Sequence, residues 1–233
     1  MFQKIVADFF YPTLTQYYDS KSNPIMSTTT RPSLQSTIQK LTGEFNQIPE
    51  SRKPILKELT DYVSQKAKAN QTINLNFICT HNSRRSHISQ VWAQAAAQYY
   101  GVSGVQCYSG GTEATAFNPR AVKAMQDAGF DIQVFKDGSN PIYKVTFSNE
   151  AQPLTVFSKK YDDDFNPKKD FAAIMTCSHA DENCPLVLGA TKRIALTYND
   201  PKDFDGTPQE AVKYAERVHE IGREILYAFS QVK

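Results

Sequence analysis

Apolar and polar residues change their spacing along this chain, and the change separates a helical part from a part in which strands and helices alternate. Between residues 33 and 70 the apolar residues recur at helical spacing, which predicts a helical extension of two helices, with Ser33 as the N-cap of the first. From Thr72 apolar and polar residues alternate up to Cys79, which predicts a strand that leads into a loop.

Downstream of Cys79 the predicted elements alternate regularly. They are, in order, a helix that ends near Gly101, a strand at 105–108 with a turn at 109–111, a helix at 118–128, strands at 171–176 and 192–197, and a long helix from about Pro208. Strands that alternate with helices form parallel sheets with helices on both faces. We therefore expect residues 71–233 to form an α/β domain, a three-layer αβα structure around a central, mainly parallel four-stranded sheet, preceded by a leader and linker at residues 1–32.

One segment, at about residues 136–169, interrupts this alternation. Residues 143–147 and 154–157 alternate between apolar and polar side chains on either side of a polar turn. This pattern predicts an inserted β-hairpin.

The composition is that of an ordinary globular protein with little net charge. Hydrophobic residues make up 40% of the chain and the formal net charge is +2, which excludes a general attraction to nucleic acid or acidic membranes. No apolar run is long enough to span a bilayer, and Asp8 interrupts the short apolar stretch near the N-terminus, so we expect no membrane segment and no signal peptide. The sparse use of cysteine, four in the chain, favours a reducing, cytoplasmic location over a secreted protein with two structural disulfides.

The segment from Cys79 to Ser86 has the residue types of an anion site. A loop between a strand and a helix N-terminus directs backbone N–H groups into a small bowl, where the helix dipole adds positive partial charge. These groups would stabilise a Cys79 thiolate, while the Arg85 guanidinium would hold two oxygens of a tetrahedral oxyanion. Ser86 could donate a hydrogen bond to the sulfur, and Asn82 suits a left-handed turn. The residues expected to bind the oxyanion are Thr80, His81, Asn82, Ser83, Arg84, Arg85 and Ser86.

Three more residues are candidates for the chemistry. Asp200 lies just past the last predicted strand and is the candidate acid for a leaving oxygen, with Asp203 and Asp205 as competitors. Cys177 and Cys184 have six residues between them, a spacing that suits a transient disulfide.

Three segments carry a resemblance to a known family. They are residues 79–86 (CTHNSRRS), residues 108–113 (YSGGTE) with the pair at 118–119 (NP), and residues 176–185 (TCSHADENCP). They resemble the low-molecular-weight tyrosine phosphatase superfamily, and most closely its thioredoxin-coupled arsenate reductase branch. The resemblance implies that the αβα domain has the fold of these phosphatases.

The resemblance also implies a mechanism. Cys79 would attack arsenate, with Arg85 and the loop amides binding its oxygens. Cys177 would then attack Cys79 and release arsenite, and Cys184 would attack Cys177. Thioredoxin would reduce the resulting disulfide, and Asp200 would match the general acid of the phosphatase reaction. Neither a metal nor an organic cofactor would be needed.

The chain departs from the family in and near the site. His81 replaces the glycine usual in the loop, which would tighten or strain the backbone there. Arg84 stands where relatives often have a second cysteine, and it would add positive charge at the rim. Lys202 and Asp203 stand in place of the vicinal tyrosines, which weakens the case for a phosphotyrosine specialist.

Alternative functions therefore stay open. A phosphatase acting on phosphotyrosine or small phosphomonoesters would need only Cys79, Arg85 and Asp200. A non-catalytic oxyanion-binding regulator is the hypothesis that His81 supports. A zinc site that used Cys177, His179 and Cys184 lacks a fourth ligand at a suitable spacing.

Overall fold

The computed structural model describes residues 32–183 and 186–233. Its helices are α1 Pro32–Gly43, α2 Lys53–Lys68, α3 Arg85–Tyr99, α4 Pro119–Asp127, α5 Ser178–Asn183 and α6 Glu210–Ser230. Its strands are β1 Ile73–Cys79, β2 Val105–Gly111, β3 Asp131–Lys136, β4 Ile142–Thr146, β5 Leu154–Val156, β6 Phe171–Met175 and β7 Ala190–Ile194. Residues 1–31 of the expected leader and linker at 1–32 lie outside the described residues, as does Cys184.

The central sheet is four-stranded and parallel, in the order β2-β1-β6-β7, which confirms the expected fold class. Alternate residues of β6 pack on opposite faces, Ala172 in the large core and Ala173 in a smaller one. Both faces are therefore covered, as is usual for a parallel sheet. Cys79 pairs with Gly111 in register and Ile78 pairs with Met175, so the carboxyl ends of β1, β2 and β6 meet at one edge. Ligand sites of open α/β sheets form at this edge.

The N-terminal helices pack onto the same core as the rest of the domain. Leu34 of α1 and Leu59 of α2 are fully buried in a cluster shared with α6. Helix α1 begins at Pro32, one residue before the expected N-cap, because proline suits the first turn of a helix. Ser33 instead donates a 3.3 Å hydrogen bond through Oγ to the carbonyl of Gly129.

The predicted hairpin forms, and β3, which precedes the inserted segment, joins it to make a three-stranded antiparallel sheet. Strands β4 and β5 lie where the sequence predicts them, and β3 adds a third strand in the order β3-β4-β5. The sequence does not reveal β3 because Val134 and Phe135, two of its apolar residues, are 56% and 69% exposed, so no buried face marks the strand.

Two predicted boundaries at the site edge are wrong. Strand β2 continues through residues 109–111, which the sequence predicts to be a turn. The reason is that the segment containing Tyr161 crosses the end of this strand at close range. A Cβ on Gly110 would lie 2.3 Å from the Cα of Tyr161, so glycine permits this approach. Strand β7 ends at Ile194, although Leu196 and Tyr198 beyond it are also buried and extend the apolar pattern.

Within residues 32–183 and 186–233, no helix is both long and apolar enough to cross a membrane.

Candidate active site

Cys79 ends β1, and its thiol lies against the first turn of α3. The residue is buried, 3% exposed, and its Sγ is 3.1 Å from Ser86 Oγ. Residues 80–84 form the loop between the strand and Arg85, the first residue of the helix. The structure therefore places Cys79, Ser86 and the helix N-terminus together, an arrangement that can stabilise a thiolate.

Asn82 holds the loop together in a left-handed conformation. Its φ is +44°, and its side-chain Nδ2 donates a 2.9 Å hydrogen bond to Ser86 Oγ. Its Oδ1 accepts a 2.9 Å bond from the backbone N–H of Lys159, in the inserted segment. Asn82, and not His81, is the loop residue with positive φ. The expected backbone strain from replacing glycine by His81 is therefore not found, since that position does not need the left-handed region.

Arg85 contacts the segment that follows β7. Its Nη1 donates a 2.9 Å hydrogen bond to the carbonyl of Tyr198, and its Nη2 donates a 2.7 Å bond to Asp200 Oδ2. Asp200 Oδ1 accepts from the backbone N–H of Lys202 at 3.1 Å and so caps a short 3₁₀ turn. The candidate acid and the candidate oxyanion-binding arginine are thus joined directly. Asp203, one competitor for the acid role, is exposed to solvent.

Arg84 lines the bowl beside Asp200, but its guanidinium is held by partners on and near α6. Its Nε donates a 2.8 Å hydrogen bond to Tyr214 Oη, and its Nη2 lies 3.5 Å from Asp205 Oδ2. Tyr214 Oη in turn donates to Asp205 Oδ1 at 2.8 Å. This geometry points to a role in holding the Asp200 segment, whereas the sequence suggested a charge at the rim for anion capture. Asp205 is engaged by these partners, which weakens it as a competing acid.

The bowl itself is small. Six residues line a space of about 10 Å³, namely Cys79, His81, Ser83, Arg84, Arg85 and Asp200. That volume accommodates about one water molecule. The Ser83 hydroxyl donates to the Ala116 carbonyl at 2.7 Å and is therefore already engaged.

Cys177 lies beside the loop but is not exposed. It is 1% exposed, its Sγ is 3.5 Å from Thr80 Oγ1, and it accepts a 3.3 Å hydrogen bond from the Ala180 N–H within the first turn of α5. Thr80 also contacts His179 Nδ1 at 3.2 Å. The structure therefore brings Cys177 next to the residue that follows Cys79. The remaining predicted site residue, Cys184, follows α5 directly and is not among the described residues.

One buried residue behind the loop, His87, was missed from the sequence. His87 Nδ1 is 3.1 Å from Ser109 Oγ, and the imidazole stacks at 4.4 Å on Phe117. Burial first, and then the nearby Lys159 charge, hold the pKa of His87 well below its usual range. The ring is therefore neutral and acts as a packing and hydrogen-bonding group. Its position directly after Ser86 was the signal that could have identified it.

Cys107 is separate from this arrangement. It lies within β2 and is 3% exposed, and burial raises the pKa of its thiol strongly. It is therefore a poor nucleophile.

Comparisons with known proteins agree with this architecture. The family model for low molecular weight phosphotyrosine protein phosphatase matches residues 74–146. The arsenate reductase of Bacillus subtilis (strain 168) is 32% identical over 150 residues, which cover 64% of this chain and 89% of the relative. The arsenate reductase of Shouchella clausii (strain KSM-K16) is 31% identical over 150 residues, with the same coverage, 64% and 89%.

The low molecular weight phosphotyrosine phosphatase of Vibrio cholerae O395 aligns with a TM-score of 0.46 and 12% identity, over 68% of this chain and 94% of that chain. From the sequence matches, in particular the 32% identity over most of the Bacillus subtilis enzyme, the chain belongs to the low molecular weight phosphotyrosine protein phosphatase family, together with the arsenate reductases that it matches.

Proposed function

We propose that this protein reduces arsenate to arsenite, with Cys79 as nucleophile and Cys177 and Cys184 as the next members of a thiol relay. The observation that carries the proposal is the buried Cys177 thiol, 3.5 Å from the hydroxyl of Thr80, the residue next to Cys79. A phosphatase needs one thiolate, whereas a reductase needs a second thiol near the first. The arsenate reductases among the relatives support the same choice.

In the first step the Cys79 thiolate attacks the arsenic atom. A sulfur–arsenic bond forms, and one oxygen leaves as water after it takes up a proton. Asp200, held at Arg85 by a 2.7 Å hydrogen bond, is the candidate donor of that proton. Arg85 and the loop amides bind the remaining oxygens, whose charge they stabilise.

In the second step the Cys177 thiolate attacks Cys79 Sγ. A sulfur–sulfur bond forms, the sulfur–arsenic bond breaks, and its electron pair stays on arsenic, which leaves as arsenite. Cys184 then attacks Cys177 and releases the Cys79 thiolate. Two thiols have lost two electrons in total, and a dithiol protein of the thioredoxin type returns them by reducing the Cys177–Cys184 disulfide.

This sequence of steps requires movement of α5. Cys177 is buried, and Arg193 holds the helix through a 2.5 Å ion pair with Asp181. A helix of six residues has few internal hydrogen bonds, so partial unwinding costs little free energy. Unwinding would expose the Cys177 thiol.

A phosphatase is the second candidate, and the position of Asp200 favours it. An acid joined to the oxyanion-binding arginine is what hydrolysis of a phosphate ester requires, since the leaving oxygen needs a proton. In that reaction Cys79 would form a cysteinyl phosphate, and Cys177 and Cys184 would have no part. The hypothesis of a non-catalytic oxyanion-binding regulator loses its supporting observation, because His81 does not strain the loop.

The test is arsenate-dependent consumption of NADPH in the presence of thioredoxin and thioredoxin reductase. We expect turnover in the wild type, its loss in Cys184→Ser and its retention in Cys107→Ser, a control at a buried cysteine outside the site. If the wild type does not turn over but hydrolyses an aryl phosphate, and Cys184→Ser does so equally well, the protein is a phosphatase.

A further inference from the structure

The inserted segment after β5 crosses the end of β2 next to the Cys79 loop. We call residues 158–161 the brace segment. The Gly111 N–H donates a 2.9 Å hydrogen bond to the carbonyl of Lys159, and the Tyr161 N–H donates a 2.9 Å bond to the carbonyl of Gly111. The buried amide of Asn166 adds bonds to Ser109 and Tyr161 at 3.0 and 3.2 Å. The brace segment is therefore fixed to the edge of the central sheet.

The insertion also hydrogen-bonds to the Cys79 loop, through the side chain of Ser158 and the backbone N–H of Lys159. Ser158 Oγ donates a 3.2 Å hydrogen bond to the carbonyl of His81 and accepts a 2.8 Å bond from the Thr115 N–H. Thr115 Oγ1 donates a second bond to the same carbonyl at 3.0 Å. The Lys159 N–H donates to Asn82 Oδ1. Three hydrogen bonds, two from the insertion and one from Thr115, thus converge on two consecutive loop residues, and the bond between Thr115 and Ser158 joins the two donors of the His81 carbonyl.

These contacts determine the orientation of one peptide plane in the loop. A trans peptide is planar, with its C=O and N–H on opposite sides. Two hydroxyls that hold the His81 carbonyl therefore also fix the direction of the Asn82 N–H. The adjacent dihedral, φ of +44° at Asn82, lies in a region that other residues seldom adopt, so external contacts help to keep it.

We propose that Ser158 and Thr115 are positioning residues for the oxyanion loop, through the carbonyl of His81. They touch neither the thiol nor the bound anion in this scheme. They hold the peptide between His81 and Asn82 so that the loop amides are preorganised for the Cys79 thiolate and for a tetrahedral oxyanion. The inserted sheet is, on this account, part of the active-site scaffold. The inference rests on the proposed function only for the identity of the oxyanion.

The test measures the loop without requiring turnover. The rate of Cys79 alkylation by iodoacetamide is followed against pH by mass spectrometry of the Cys79 peptide, with and without inorganic phosphate as protecting anion, because arsenate would itself react with Cys79. The variants are Ser158→Ala, Thr115→Val and the double variant. The matched control is Ser148→Ala, another buried serine of the insertion, whose Oγ accepts from the Glu150 N–H in its own turn.

We expect each single variant to need about three- to tenfold more anion for half-protection, the effect of one lost hydrogen bond, and to move the alkylation profile to higher pH. In the double variant the anion concentration for half-protection should rise by more than the product of the two single-variant factors. The reason is that the His81 carbonyl then accepts from neither hydroxyl. Ser158→Thr should restore the wild-type profile, and Ser148→Ala should match it.

If Ser158→Ala and Thr115→Val both behave like Ser148→Ala, the proposal is wrong. Thr115 is exposed, so its variant is expected to fold even where Ser158→Ala does not. The outcome is separate from that of the proposed function. Suppose that the wild type reduces no arsenate, but that phosphate protects Cys79 from alkylation less well in Ser158→Ala than in the wild type. That result would refute the proposed reductase function and support the positioning role of Ser158.

Discussion

Arg85 and Asp200 form a direct ion pair, with 2.7 Å between Nη2 and Oδ2. The pair connects the first residue of α3 to the segment after β7, two parts of the chain separated by 115 positions. The guanidinium that should hold the oxyanion is thus occupied by the candidate acid in the free protein. An incoming oxyanion must compete with Asp200 for Arg85, and this exchange would bring the acid next to the bound anion.

The first prediction separates the two adjacent arginines. Arg85→Lys loses the planar fork and should weaken arsenate or phosphate binding at least about tenfold. Arg84→Gln should weaken it less than about threefold, because Arg84 contacts Tyr214 and Asp205 instead. The phosphate concentration that half-protects Cys79 from alkylation measures anion binding in both variants. Equal losses in the two variants would mean that the Arg84 guanidinium leaves Tyr214 and Asp205 and binds the anion as well.

The second prediction concerns the acid. Asp200→Asn should slow hydrolysis of phenyl phosphate by about 10²-fold or more, and that of p-nitrophenyl phosphate less, because the better leaving group needs less protonation. Asp203→Asn is the matched control, since that carboxylate is exposed and belongs to the same 3₁₀ turn. Should both substrates respond equally to Asp200→Asn, the residue acts by holding Arg85 and not as an acid.

The third prediction concerns the pH dependence of stability that results from the buried Lys159. Burial lowers the pKa of this lysine to about 8, with a smaller opposing effect of Asp163. The folded protein then loses this proton at lower pH than the unfolded chain, whose lysine has the usual pKa of 10.5. The charged form therefore destabilises the fold below pH 8, and this cost, about 3 kcal/mol, disappears as the pH rises from about 8 to 10.5.

Lys159→Met keeps the apolar stem beside Phe157 and Phe165 and removes the charge. The free energy of unfolding of the variant should exceed that of the wild type at pH 7, and the two should converge towards pH 10.5. Denaturant titrations at a series of pH values measure the difference. A constant difference across that range would show that Lys159 does not titrate there.

The fourth prediction concerns the junction between the N-terminal helices and α6. Arg52 donates from Nε and Nη2 to Glu224 at 2.8 and 2.7 Å, and Glu224 is 2% exposed. Arg52→Met would leave a buried carboxylate without its partner and should cost about 3–5 kcal/mol of stability. Lys57→Met removes an exposed pair with Asp61 and should cost less than about 1 kcal/mol.

The double variant Arg52→Met with Glu224→Leu completes this test. It removes both charges and should recover most of the loss, because apolar side chains often replace a buried ion pair without cost. Failure to recover would indicate that the bond from Arg52 Nη1 to the Thr197 carbonyl, at 3.1 Å, is the more important contact.

The sequence predicts the local structure of the Cys79 loop well, because the signal there is local. Residues 79–86 contain the strand end, the left-handed Asn82 and the helix start, so neighbours in sequence determine the loop. Parallel strands gather at one edge by topology alone, which brings Cys79, Cys177 and the Asp200 segment together.

What the sequence misses depends on distant contacts. Arg84 is directed by Tyr214, 130 positions away, and nothing near residue 84 indicates that partner. The brace contacts of Ser158 and Lys159 bridge 77 positions, from an insertion outside the sequence motif. Strand β3 has no buried periodic face, so its apolar residues give no strand signal.

The central claim is a relay from Cys79 to Cys177, and its intermediate can be trapped. Cys184→Ser is incubated with one equivalent of arsenate without reductant, digested under non-reducing conditions at low pH, and analysed by mass spectrometry. The account predicts a disulfide between Cys79 and Cys177, formed in step with the release of arsenite. If Cys79 and Cys177 both remain as thiols and no arsenite forms, the relay does not exist and the account is wrong.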